Sequence, residues 1–553
     1  MPVVDVMIRD LEKLLGRNLS VDEIEKYLPM LKCEIEEIEE ETVYYEATHD
    51  RPDLFSTEGL ARALKGLLEI EKGLRKFNVS REKVELYNYG PSYRPFVLGA
   101  VVRNLNLDEE AVRQIMNLQE RLHVTYCRNR RKVSIGVYDL DTIKPPIYYK
   151  AVDPREVSFT PLEETEPMTL EDILSKTEKG REYRHLVEGK AKYPLLVDSE
   201  GRVLSFPPII NSEDTKVTEN TRNVFIDVTG IDLESMLDVI TIVTTSIAER
   251  GSPEEIVLVV VHMKSADKLS PRLEPFKQVL ELELVEKLSG VKMSRETIVD
   301  CLEKMRHGVI PLSAEKLEVY VSPYRIDVLH PVDLVEDVLM AYDYDRIEPE
   351  YLPPTASGKI SPIEIISRKV RDIMIGLGFQ EVANYMMSNP DTLVKKMRLE
   401  ERVVEVLNPK LEKYTALRNW ILPQVLEVLS RNKKAGYPVK VFEVGDVAII
   451  DETKDVKARI ERHLAAAVAS PEVTMTDALV LCKSLFMTLG LDYSLAEENH
   501  RSFIEGRCAK ILVNGKKVGI LGEIHPEVLV SFELETPVAA LEIDLTSILE
   551  ILA

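Results

Sequence analysis

The sequence predicts a multidomain α+β chain: two related small helical modules, a strand-rich domain between them, and an antiparallel α/β domain after a linker. Three observations carry this expectation. A block near the N-terminus recurs later at one constant offset: Glu12-Lys13-Leu14 returns as Glu286-Lys287-Leu288, Gly16 as Gly290, Ser20 as Ser294 and Arg51-Pro52-Asp53 as Arg325-Ile326-Asp327. Between the copies, short runs of β-branched and aromatic residues alternate with turn residues. Tyr351–Pro362, YLPPTASGKISP, is the clearest linker, and helical and strand-like segments alternate beyond it.

The first module is assigned to residues 1–87. Helical patterns cover Ile8–Leu15 and Val21–Leu31, and Val43–Tyr45 is strand-like. His49-Asp50-Arg51-Pro52-Asp53-Leu54 then leads into a helix for which Ser56 is the expected N-cap. The second copy, 271–350, adds chemistry to the same pattern. Asp333, Glu336 and Asp337 stand at i, i+3 and i+4, one face of a helix that Pro331 is suited to open. Asp327 precedes them. The aligned positions in the first copy are Gly59, Arg62 and Ala63, so the fold does not require the acids. Two readings follow. Acids in a first helical turn offset the macrodipole, and an all-carboxylate set suits a hard cation such as Mg²⁺.

The strand-rich domain is assigned to 88–265, with strands in PFVLGAVVRNL, KVSIGVYDLDTI, KYPLLVD and NVFIDVTGID. Glu109–Arg121 has helical amphipathicity. Arg128, Arg130, Arg131 and Lys132 form the densest basic run, unusual against this background and so a candidate phosphate contact. Residues 253–270 read as a final strand and linker. In 360–553 a helix over Ser367–Leu377 should end at Gly378, Arg418–Leu429 should be helical, and Val439–Val447 is strand-like.

The 553 residues carry 94 acidic and 71 basic side chains, a net charge of −23. That field repels nucleic acid, so an RNA partner must meet a local basic patch or a second subunit. Five scattered cysteines without a CxxC pair point to reduced thiols in a cytoplasmic protein and exclude a cysteine zinc site. No apolar run is long enough for a membrane span, and the first twenty residues do not read as a signal peptide.

The stretch YRIDVLHPVDLVEDVLMAYDYDRI resembles the B5 signature of the phenylalanyl-tRNA synthetase beta subunit, archaeal and eukaryotic type. Tyr342-Asp343-Tyr344 departs from that family's Tyr-Gly-Tyr, but Asp tolerates left-handed backbone. The resemblance implies Mg²⁺ at Asp327, Asp333, Glu336 and Asp337, and makes the first module B1-like. CRNRRK with IGVYDLDTI, SFPPIIN and FIDVTGID resemble the B3/B4 editing module, which implies hydrolysis of tyrosine wrongly attached to phenylalanine tRNA. Ser205, Asp227 and Thr229 are the editing candidates so implied. GLGFQEV, LRNWILP, FEVGDV and GEIHP resemble the family's class II synthetase-like module (B6/B7). Val441 stands where an active class II enzyme carries an ATP-gripping Arg, and GILGEIHP lacks the third motif's Arg, so adenylation is not expected here. The family further implies a catalytic alpha subunit that binds ATP, an (αβ)₂ heterotetramer, tRNA(Phe), and no room for an OB-fold insertion or a C-terminal anticodon-binding extension. A freestanding Mg²⁺-binding scaffold with a degenerate editing site is the alternative.

Overall fold

The duplicated block folds twice into the same unit. The computed structural model describes residues 2–264, 266–351 and 356–552, in two units that divide between Glu350 and Tyr351. In the first copy the strand Val3–Met7 leads into the helix Ile8–Leu15, closed by left-handed Gly16 at φ 74°. The counterparts are Phe276–Glu281, Leu282–Ser289 and Gly290 at φ 72°. Ser20 caps one second helix through Glu23 N–H, and Ser294 caps the other through Thr297 N–H. Each copy then adds two strands, Cys33–Ile38 with Thr42–Ala47 and Gly308–Pro311 with Lys316–Val321. Each ends in a helix, Thr57–Leu67 or Pro331–Tyr342. Both three-stranded sheets set their last strand in the middle.

The modules are therefore α+β units and not helical ones. The sequence showed the strand at Val43–Tyr45 but hid its neighbours, because edge segments such as CEIEEI are mostly polar, with one residue of the six buried. Ser56 caps the Thr57–Leu67 helix through Gly59 N–H, as expected. The helix expected over Val21–Leu31 stops at Tyr27, and Pro29–Leu31 forms a separate 3₁₀ turn.

Between the copies lies a ten-stranded sheet. It starts earlier than the boundary at 88, since Val79–Tyr89 is one of its inner strands. Gly251–His262 is the strand expected in 253–270, and the stretch read as linker adds one short strand, Lys268–Ser270, paired with it. The longer strand sits in the middle of the sheet, parallel to Val79–Tyr89 and antiparallel to Phe96–Leu105. Its buried alternation at Val257, Val259 and Val261 faces the core.

The second unit is a seven-stranded, mainly antiparallel sheet. Its leading helix, Pro362–Gly376, extends N-terminally of the expected start, and Gly378 takes φ 80°. Residues 352–355 of the expected linker lie outside the described residues. The helix expected at Arg418–Leu429 is Leu422–Arg431, with Pro423 in its first turn. Strand alternation along Val439–Ile450 sends Phe442 and Val444 into one core and Val441 and Val447 into the other. No described helix is long and apolar enough to cross a membrane.

Candidate functional site

A cavity of about 270 Å³ opens in the strand-rich domain, and Ser205 and Asp227 both line it. They come from strands far apart in the sheet order, Val203–Phe206 and Val224–Gly230. Tyr138 joins them: its hydroxyl lies 2.8 Å from Ser205 Oγ and 2.5 Å from Asp227 Oδ1. The phenol has one proton, which goes to the carboxylate as the better acceptor, so Ser205 donates to Tyr138. Gly136 makes the arrangement possible. A Cβ there would fall 2.0 Å from the Tyr138 hydroxyl and 2.4 Å from Asp227 Oδ1. Burial pushes the Asp227 carboxyl up to about 7, against the opposing pull of Tyr138 and Arg94.

Thr229 is buried behind the cavity wall. It accepts from Arg94 Nε at 2.9 Å and pairs with Ser134, itself a cavity residue, at 2.9 Å. Thr229 thus acts through Ser134 and not by direct contact. Arg94, Ser134, Gly136 and Tyr138 escaped the sequence reading. The available signal was the Gly-x-Tyr spacing in IGVYD, which puts a bare backbone beside a phenol on one strand face.

The basic run divides. Arg128, Asn129 and Arg130 take φ of 54°, 51° and 61°, a tight left-handed turn. That turn sends Arg130 inward. It is 6% exposed and donates to Pro208 O, Ile209 O and Glu120, with its guanidinium 4.3 Å from the Tyr183 ring. Arg130 therefore shapes the cavity wall and is withdrawn as an RNA contact. Burial pushes the neighbouring Glu120 up, but His123 and Arg130 outweigh it and hold the acid at about 2. Arg128 and Arg131 are exposed, and Lys132 pairs with Asp232 at 3.0 Å.

The second candidate site is the seam between the two copies. Pro331 opens its helix as expected, and Asp343 takes φ 83°. Arg325 holds Asp327 bidentately, at 2.9 and 2.7 Å, and reaches Asp337 at 2.8 Å. His307 Nε2 lies 2.7 Å from Asp337, and Arg51 of the first copy lies 4.0 Å from Asp327. Burial pushes Asp337 up, and Arg325 and His307 more than offset it, leaving the acid well below its ordinary value. Asp333 accepts from the Leu329 and His330 amides, and Glu336 takes Lys32 of the first copy at 2.8 Å. So Asp327 and Asp337 come together while Asp333 and Glu336 are engaged elsewhere. The all-oxygen donor set suits a hard cation, but as arranged the four do not gather around one ion.

Among the described residues, the one group of such ligands gathered closely enough is Glu461, His463 and Asp544, in the second unit. Burial pushes His463 down, yet Glu461 and Glu542 raise it to about 9. It is a protonated partner in an ion-pair network. In the same sheet Val441 is 5% exposed in an apolar core. Glu443 is taken by Arg418 and by Asn384, each at 2.7 Å.

Comparison with known proteins defines the class: three family models match in order, the B3/4 domain over 103–251, the tRNA synthetase B5 domain over 279–344, and the phenylalanyl tRNA synthetase beta chain CLM domain over 349–545. This is a subunit of an aminoacyl-tRNA ligase. A phenylalanine–tRNA ligase beta subunit from Thermofilum pendens is 48% identical over 552 residues, covering 100% of this chain and 98% of that one. The Pyrococcus horikoshii beta subunit is 44% identical, covering 98% and 99%. The crystal structure of an N-terminal fragment of that beta subunit matches with TM-score 0.59 and 44% identity, over 62% of this chain and all of the fragment. The chain belongs to the phenylalanine–tRNA ligase beta subunit family.

Proposed function

We propose that this chain supports a catalytic alpha subunit in attaching phenylalanine to tRNA(Phe), within an (αβ)₂ heterotetramer, and proofreads the product itself. The observation that carries the proofreading role is the Ser205–Tyr138–Asp227 constellation in a cavity of about 270 Å³. An apolar pocket for phenylalanine rejects tyrosine by only about a hundredfold, since the two differ by one added hydroxyl. A second cavity whose buried polar groups are completed by that hydroxyl selects the wrong product positively. Asp227 is held near neutrality between carboxyl and carboxylate, so it can donate to or accept from a phenol. Thr229 and Arg94 fix Ser134, a positioning role.

The absence of adenylation chemistry is supported by the burial of Val441 and by the engagement of Glu443 with Arg418. Exposed Ile365 and Ile375 on the Pro362–Gly376 helix favour that face for the alpha subunit. Arg128, Arg131 and Lys132 remain the tRNA contacts we favour. The cytoplasm is the compartment that fits a tRNA ligase subunit.

Mg²⁺ at Asp327, Asp333, Glu336 and Asp337 is a separate proposal, resting on donor chemistry and on the B5 match. An ion there must displace Lys32 from Glu336 and loosen Arg325, so calorimetric titration with Mg²⁺ is the direct test: wild type should give a binding heat that Glu336→Ala loses, and no heat in wild type would discard the site. For proofreading, the alpha–beta complex is assayed for hydrolysis of tyrosyl-tRNA(Phe). Asp227→Ala should abolish it and Thr229→Ser should retain more than Thr229→Ala. An undiminished rate in Asp227→Ala would overturn the assignment.

A further inference from the structure

The strand Val79–Tyr89 alternates between two environments. Val84 and Leu86 are buried, whereas Lys83, Glu85, Tyr87 and Tyr89 project to the other side. Register aligns His262, Tyr87 and Tyr148 across three adjacent strands. Their rings stack, with centroids 4.6 Å apart for Tyr87–His262 and 5.5 Å for Tyr87–Tyr148, while Tyr89 lies 6.5 Å from Tyr87 at an interplanar angle of 5°. Tyr89, at the end of the stack, is 57% exposed. Lys150 stands 5.0 Å from the Tyr148 ring centre. Lys83 and Lys150 have no carboxylate partner among the described residues, while His262 is tied to Glu85 and Asp267.

This face is opposite the proofreading cavity. Gly99 is in register with Asp227 and packs against Phe225, Val259 and Leu86, so those residues share the inner face and Tyr87 the outer.

We propose that the outer face is a stacking platform for a short unpaired stretch of RNA. Four near-parallel rings, with Tyr89 well exposed and the unpaired Lys150 beside Tyr148, fit bases stacked on the free ring faces and a phosphate on the ammonium group, the chemistry by which open sheets bind two or three unpaired bases. A protein partner would use the same rings but has no need of unpaired cations in so acidic a chain. The inference rests on the tRNA-partner reading above and not on the proofreading chemistry, and the two fail separately.

The test is fluorescence anisotropy of a fluorescein-labelled oligoadenylate of about eight nucleotides with the full chain, and of tRNA(Phe) in parallel. Tyr89→Ala and Tyr148→Ala should each weaken oligonucleotide binding about tenfold, the loss of one stacked base. Tyr89→Phe and Tyr148→Phe should bind like wild type. Lys150→Ala should weaken binding and reduce its salt dependence by about one phosphate. Tyr89 and Lys150 sit at the rim, so their variants should melt like wild type. Equal binding by wild type and the alanine variants overturns the platform while leaving the tRNA reading intact. No binding of either RNA by wild type overturns both. Alanine variants that lose the alpha subunit but keep the RNA make this face a protein interface and refute the proposal.

Discussion

Asp227→Asn should stabilise the protein above neutral pH and disable proofreading. The carboxyl is fully buried, and desolvation raises it from the ordinary 3.8 to about 7. In the unfolded chain the same group ionises near 3.9. Between those values the folded state holds a proton the unfolded state has released, so stability falls as pH rises through this window. At 1.36 kcal/mol for each tenfold in proton affinity, the ionisation costs about 4 kcal/mol by pH 8. Asn keeps the acceptor for Tyr138 and cannot ionise. Urea denaturation at pH 5 and pH 8 reads the difference. The variant should gain about 1.5 kcal/mol relative to wild type at pH 5, rising to about 4 kcal/mol at pH 8. A variant equally destabilised at both values would mean that Asp227 is ionised and compensated in the fold, and the assignment of a raised carboxyl would fall.

Other outcomes follow from the same contacts. Arg325→Met strips the counter-charge from two buried carboxylates and should cost about 3–5 kcal/mol in chemical denaturation, with partial recovery in the Arg325→Met, Asp337→Asn double variant. Gly136→Ala should keep a cooperative melt, because the clash meets side-chain ends, yet slow tyrosyl-tRNA hydrolysis about tenfold to a hundredfold through loss of the Tyr138–Asp227 hydrogen bond. Introducing Val441→Arg should not create ATP–pyrophosphate exchange and should lower the melting temperature, since the side chain enters an apolar core.

What could be read from the chain beforehand follows from how local each signal is. Gly16, Ser20 and Ser56 act within one helical turn, and all three appear where their residue type predicts. The duplication was legible because its markers keep one register. The place of Gly251–His262 was not, since an apolar run looks the same at an edge or in the middle of a sheet, and only pairing with Val79–Tyr89 decides. The cavity shows the same division. SFPPIIN and FIDVTG mark Ser205 and Asp227, but Tyr138 links them across the sheet through contacts no local pattern encodes. Arg130 misled because three successive left-handed residues turn it inward, a reversal that a run of basic letters does not announce.

The seam between the copies explains why the acids could be gained by one of them. Arg51-Pro52-Asp53 and Arg325-Ile326-Asp327 occupy equivalent places and meet, so each guanidinium faces its own aspartate, and Arg51 also faces the other copy's Asp327. Identical copies would also have brought two Arg62-like side chains to this junction. Instead Arg62 stacks 3.7 Å from the Tyr324 ring, and its counterpart Glu336 takes Lys32. Ala63 leaves room where its counterpart Asp337 supplies the carboxylate that Arg325 and His307 bind. Asp327, Asp337 and Glu336 are thus already neutralised by buried and half-buried cations from both copies, and Asp333 is held by backbone amides. Any divalent ion must compete with those cations for oxygens, and its affinity reports the cost of opening the seam as well as the chemistry of the donors.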